Sequence, residues 1–129
     1  MAPGAHEPPR CVLLADDDDD IRELLRACLE RGGFEVIDFV DGSSLLDEAR
    51  RAPGQFQLVV SDIGMPGPDG VEVCRSLHML QPELPVVLIT AFRDEETFRR
   101  AREAGAVDVI TKPLDLTHLV SLASGLARP

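Results

Sequence analysis

Five consecutive aspartates, Asp16 to Asp20, follow directly on the apolar run Val12-Leu13-Leu14-Ala15. A buried strand that ends in a block of carboxylates aims them at one point. Like charges held ~4 Å apart repel by roughly 4 kcal/mol per pair at an effective dielectric near 20. Such a cluster must take up protons, turn outward into water or hold a cation. Three more chemically capable residues stand at the ends of later apolar runs: Asp62 after Leu58–Ser61, Thr90 after Val86–Ile89, and Lys112 just past Val107–Ile110. Carboxylates are hard oxygen ligands, and magnesium typically takes one or two of them together with water and a phosphate. Lys112 adds a second positive charge, and the Thr90 hydroxyl can donate to a phosphoryl oxygen. A carboxylate in such company can act as a nucleophile and form an acyl phosphate.

These groups converge only if the elements that carry them are parallel strands. The pattern alternates short apolar runs with longer amphipathic stretches. Strands are expected at Cys11–Ala15, Phe34–Phe39, Leu58–Ser61, Val86–Ile89 and Val107–Ile110, each followed by a helix: 19–31, about 43–51, 71–80, 94–104 and 115–126. The first helix has Ile21, Leu24, Leu25, Cys28 and Leu29 on one face. Asp18 or Asp20 is placed to cap it, with Glu23 three after Asp20 as in a capping box, and Gly32-Gly33 ends it. Ser43 or Ser44 is the expected cap of the second helix. Asp69 supports the Gly70 turn or caps the third. The strands are near-continuous apolar runs, as befits a sheet covered on both faces. Right-handed crossovers then give an α/β fold, a doubly wound (βα)5 three-layer sandwich on a five-stranded parallel sheet. Asp16, Asp17, Asp62, Thr90 and Lys112 all fall at its carboxyl edge, where open α/β sheets bind ligands.

With 129 residues, the chain fits one domain, read as a flexible N-terminal extension over 1–10 and a folded unit over 11–127. It has no Trp or Tyr and five Phe, so aliphatic side chains must do most of the packing. The net charge of −10 gives no electrostatic reason to bind nucleic acid directly. No apolar run approaches the ~20 residues of a membrane span. Cys11, Cys28 and Cys74 are scattered, odd in number and free of CxxC spacing, which reads as reduced thiols in a cytoplasmic protein. His6, His78 and His118 show no metal spacing with one another.

Four motifs in order carry a family resemblance over about residues 11–126. Leu14-Ala-Asp16-Asp17, Ser61-Asp62-Ile-Gly-Met-Pro-Gly-Pro-Asp-Gly70, Ile89-Thr90-Ala91 and Thr111-Lys112-Pro113 resemble the acidic pair, phospho-acceptor loop, switch hydroxyl and lysine of the bacterial response-regulator receiver domain. The resemblance implies the flavodoxin-like strand order 2-1-3-4-5. It implies that Asp62 is phosphorylated by a histidine kinase or phosphotransfer protein, in a switch rather than a turnover enzyme. Asp17, Asp62 and the backbone carbonyl of Gly64 would bind Mg²⁺ directly, Asp16 mostly through a metal-bound water. Lys112 would contact the acceptor and then the phosphoryl group, its bond to Pro113 being cis. A target protein or output domain would be reached through the 94–126 surface, in a stand-alone receiver or one cut from a longer protein.

The chain departs from the family pattern at Val109, where the family usually has an aromatic residue three before the lysine; a β-branched side chain has no ring to swing. Output is then expected to run through the Thr90–Asp94 loop and the 94–104 helix. Gly64 leaves room for water beside the acceptor, and Phe92 is placed to shield it. Two rival functions fit some of the same residues. One is a haloacid-dehalogenase-type phosphatase, with Asp16 as nucleophile and Asp18 as general acid, although Asp20 stands where that family wants Thr or Val and no cap insertion is present. The other is a pseudo-receiver that binds partners without phosphorylation.

Overall fold

The computed structural model describes residues 10–127, so nearly all of the expected N-terminal extension, and His6 with it, lies outside the described residues. Ten elements alternate in chain order: β1 (Arg10–Ala15), α1 (Asp19–Arg31), β2 (Phe34–Phe39), α2 (Gly42–Arg51), β3 (Leu58–Asp62), α3 (Gly70–Leu80), β4 (Val86–Thr90), α4 (Glu95–Glu103), β5 (Asp108–Thr111) and α5 (Leu116–Leu126). All neighbouring strands pair in parallel, in the order β2-β1-β3-β4-β5. This is the expected flavodoxin-like order.

The period-2 alternation of a strand divides the core in two. Val12 and Leu14 of β1, with Val60, Val87 and Ile89, face α1 and α5 through Leu25, Leu29, Leu119 and Ala123. Leu13 and Ala15, with Val59, Val86 and Leu88, face α2, α3 and α4 through Leu45, Ala49, Cys74, Leu77 and Ala101. The inner strands β1, β3 and β4 read as near-continuous apolar runs because both faces are covered, whereas the edge strands β2 and β5 carry Glu35, Asp38 and Asp108. Each fully buried Leu or Val contributes roughly 1.5–3 kcal/mol relative to exposure. Among the described residues no helix is long and apolar enough to cross a membrane.

The helix starts show where local reading misplaced a cap. Asp18 caps α1, its carboxylate accepting from the Asp20 and Ile21 amides at 3.0 and 3.1 Å; the Asp20–Glu23 capping box does not form, because Asp20 already lies inside the helix. Asp41, rather than Ser43 or Ser44, caps α2 by accepting from the Ser44 amide at 2.8 Å. The helix begins at Gly42, so Ser43 and Ser44 already lie within its first turn and only Asp41 stands where a cap can accept from the free amides. Asp69 does cap α3, in a reciprocal capping box with Glu72. Leu24 is 53% exposed rather than core-facing. Strand β5 begins at Asp108, leaving Val107 exposed.

Candidate functional site

Parallel pairing brings the carboxyl ends of β1, β3, β4 and β5 to one edge. Register places Ala15 beside Ser61, Asp62 beside Ile89 and Thr90 beside Thr111, so the next residue or two of each strand emerge together. Asp16, Asp17 and Asp62 each offer a carboxylate oxygen, and these oxygens lie within 4.8 Å of one another. Asp16 and Asp62 are buried while Asp17 is exposed.

Asp16 is anchored on both sides. Its amide donates to the Phe39 carbonyl at 3.2 Å, and its Oδ1 accepts from the Asp18 amide at 2.9 Å. Its Oδ2 is buried with no hydrogen-bond partner; the Lys112 ammonium stands 3.8 Å away, close enough for attraction and too far for a hydrogen bond. Burial pushes the Asp16 carboxyl above the usual range. The Asp18 amide and Lys112 pull it down, and the charges of Asp62 and Asp17 push it further up. A buried carboxylate oxygen without a donor is costly. A cation among the three carboxylates would satisfy it, so the residues present fit a bound divalent ion.

Lys112 donates to Asp62 Oδ2 at 3.3 Å. Its amide donates to the Thr90 carbonyl at 2.8 Å, which holds the end of β5 beside β4, and its peptide bond to Pro113 is cis, as expected. The Gly64 amide donates to Asp62 Oδ1 at 3.4 Å. Thr90 is buried, and its Oγ1 accepts from the Phe92 amide at 3.0 Å, which leaves the hydroxyl proton free to donate elsewhere. Phe92 itself is 64% exposed.

Two glycines shape the loop after Asp62. Gly70 opens α3 against the acceptor strand: a Cβ there would collide with the Asp62 carbonyl oxygen and come within 2.8 Å of Ile63 Cα. Gly64, by contrast, has nothing within 4 Å of where a Cβ would stand.

All five side chains singled out in the sequence are thus brought together. Sequence reading missed Arg22, whose guanidinium donates to the Asp16 carbonyl, to Asp19 and to Asp38. The available signal was a lone arginine three residues after Asp19, inside an otherwise acidic stretch. Asp18 is exposed and caps α1 through its Oδ1, the end-of-helix role that its position in the acidic run suggested.

The model of the response regulator receiver domain matches residues 12–124. The C4-dicarboxylate transport transcriptional regulatory protein DctD of Rhizobium meliloti is 38% identical over 112 residues, covering 87% of this chain and 24% of that protein. The response regulator receiver protein CpdR of Brucella abortus is 34% identical over 116 residues, covering 85% and 90%. Among solved structures, the BeF3-activated DrrB receiver domain superposes with a TM-score of 0.84 at 28% identity, covering 92% of this chain and 97% of that one. The chain spans between about a quarter and a half of the length of several curated relatives that it matches.

Proposed function

The chain belongs to the response regulator receiver domain family of two-component signalling, and from that premise we propose that its residues 11–127 accept a phosphoryl group on Asp62. The observation that carries this reading is the position of Asp62 itself. It is a nearly buried carboxylate with Lys112 on one oxygen, two further carboxylates alongside and the Thr90 hydroxyl on the adjacent strand. Receiver domains are signalling switches rather than turnover enzymes.

In the transfer, an Asp62 oxygen attacks the phosphorus of a phosphohistidine. The new O–P bond forms as the P–N bond breaks, and the donor imidazole leaves with the electron pair and takes up a proton. Asp16, Asp17, Asp62 and the Gly64 carbonyl would hold Mg²⁺, which when bound offsets charge on the phosphoryl oxygens. Lys112 balances the Asp62 charge before transfer and stays beside the acyl phosphate afterwards. The Thr90 hydroxyl donates to a phosphoryl oxygen, which draws it away from the Phe92 amide and so moves the loop leading into α4. A phosphoryl group carries ~1.5–2 negative charges at neutral pH, and a full switch from 1:99 to 99:1 takes ~5.5 kcal/mol of differential contact.

The donor is a histidine kinase or histidine phosphotransfer protein in the cytoplasm. The signal leaves through the 94–126 surface to a target protein or an output domain, without direct contact of this domain with nucleic acid. Incubation with acetyl phosphate and magnesium, followed by intact mass and peptide mapping, tests the reading. One phosphoryl group on Asp62, and none in Asp62→Asn, is the expected result. No mass gain in the wild-type protein favours the pseudo-receiver instead, and a label on Asp16 favours the phosphatase.

A further inference from the structure

We propose that Arg22 is a positioning residue for the cation end of the site, an inference that rests on the Mg²⁺-dependent acceptor reading above. The side chain is only 15% exposed although it sits on the first turn and a half of α1. Its guanidinium donates from three nitrogens to three separate groups: Nη1 to the Asp16 carbonyl just past β1 at 2.9 Å, Nε to Asp38 Oδ2 on β2 at 3.1 Å, and Nη2 to Asp19 Oδ1 on its own helix at 2.7 Å. Asp38 is held in turn by Arg26, whose Nη1 donates to its Oδ1 at 2.6 Å.

The Asp16 carbonyl is the first past the end of β1, where the ladder no longer supplies it with a donor, and a main-chain oxygen there needs one. The peptide unit is planar, so fixing that carbonyl also fixes the direction in which the chain leaves toward Asp17. Among the described residues Asp17 has no hydrogen bond or ion pair of its own, so its carboxylate is placed by its backbone alone. Arg22 therefore sets the carboxylate that faces solvent at the mouth of the cluster. Only a planar fork serves three acceptors in this way; an ammonium is a point charge on a flexible stem.

Positioning and simple electrostatics predict opposite signs. Removing a positive charge beside five aspartates strengthens the local negative potential, which by itself tightens cation binding. Removing the strut that aims Asp17 weakens it. The experiment is magnesium titration by calorimetry, together with acetyl phosphate labelling rates against magnesium concentration. It is run on the wild-type protein and on Arg22→Met, Arg22→Lys and Asp38→Asn, with circular dichroism as the check on folding. The half-saturating magnesium concentration is expected to rise roughly tenfold in Arg22→Met, the lower end of what loss of an outer partner costs a metal site. Arg22→Lys and Asp38→Asn shift in the same direction by less, and labelling at saturating magnesium stays near wild type in all three. Unchanged or tighter magnesium binding in Arg22→Met overturns the inference. Should that variant fail to fold, unchanged binding in Asp38→Asn, which retains the Arg22 charge, overturns it equally. A wild-type protein that takes up neither magnesium nor phosphoryl overturns the acceptor reading together with this one, whereas normal wild-type behaviour with unaffected variants overturns this one alone.

Discussion

The two ends of the site are built differently. Around β1 and β3 the acceptor side is braced in three dimensions. Helix α1 buries Leu25 and Leu29, Asp16 is tied through its amide and one carboxylate oxygen, and α3 begins in van der Waals contact with the acceptor strand. Around α4 and β5 the other side is lightly held. Helix α4 buries only Ala101 of its own residues, and β5 is four residues long with Ile110 as its one buried position. At about 0.8 kcal/mol per buried CH₂, exchanging two buried leucines for one alanine removes several kcal/mol of anchoring. The difference teaches which half responds. A charge change at Asp62 meets a wall on one side and a weakly packed helix on the other. Segments with few buried apolar contacts open at the lowest cost.

The sharpest way to break this comparison is to damage the braced side where it is tightest. Gly70→Ala forces a Cβ into the Asp62 carbonyl, against backbone that has no flexible end to yield. A loss of about 3 kcal/mol in denaturant unfolding is expected, in the upper range of overpacking effects, together with impaired labelling of Asp62. The same exchange at Gly64, six residues earlier in one loop, meets nothing and is expected to change stability by less than ~0.5 kcal/mol. Equal tolerance at both positions would mean that α3 is not pressed against the acceptor strand and that the braced side is looser than described.

How much of this contrast the sequence carried depends on the kind of residue. The βα rhythm, the strand ends and the five polar groups at one edge were legible because parallel sheets convert chain order into spatial convergence. Helix α1 matched at both ends for a similar reason: an acidic start and a Gly-Gly stop are strong local signals. The cap of α2 was misread because Ser43 and Ser44 are good local candidates, and only the entry angle of the chain decides that Asp41 reaches the free amides. Leu24 was placed on the core face by its spacing, but the flank of α1 beside Pro113 and Leu114 is left open. Arg22 offered only a weak local signal, for a deeper reason. Its three partners are a carbonyl just past the end of β1, a carboxylate of its own helix α1 and Asp38 on β2, and no spacing rule joins Asp38 to an arginine sixteen residues earlier.

A second prediction sharpens what bracing costs. In metal-free protein the Asp16 carboxyl is raised by burial, while in the unfolded chain it titrates in the ordinary range. Between those two values the folded state keeps a proton that the unfolded chain has released, so unfolding gives up a proton and stability falls as pH climbs through that window. Above it the full penalty of a buried charge with one oxygen lacking a hydrogen bond remains. Asp16→Asn removes the charge and is expected to gain on the order of 1 kcal/mol at neutral pH in a chelator, with the downward slope flattened. Unfolding curves at several pH values with chelator, then with magnesium, check this. A variant less stable than wild type in chelator would mean that Lys112 at 3.8 Å already compensates Asp16.

The smallest expected effect lies on the lightly held side. Val109 lines an open groove of about 210 Å³ with Phe98, Arg102, Ala106, Val107 and Asp108. Because the groove opens to solvent, Val109→Phe can place its ring along the surface without displacing the core, and its cost is expected to stay under ~1 kcal/mol. That is below the 1–3 kcal/mol usual when a larger side chain enters a packed interior. The informative readout is hydrogen exchange of the α4 amides. In the wild-type protein they should exchange faster than those of α1, and an added ring against Phe98 should slow them. If α4 is already as protected as α1, its sparse apolar anchoring does not translate into mobility. The polar contacts of Arg99 with Glu96 and Glu103, and of Arg100 with Asp69, would then be holding it. Exposed pairs of this kind ordinarily contribute ~0–1 kcal/mol each, so that outcome would require them to act as a network across α4 and the start of α3.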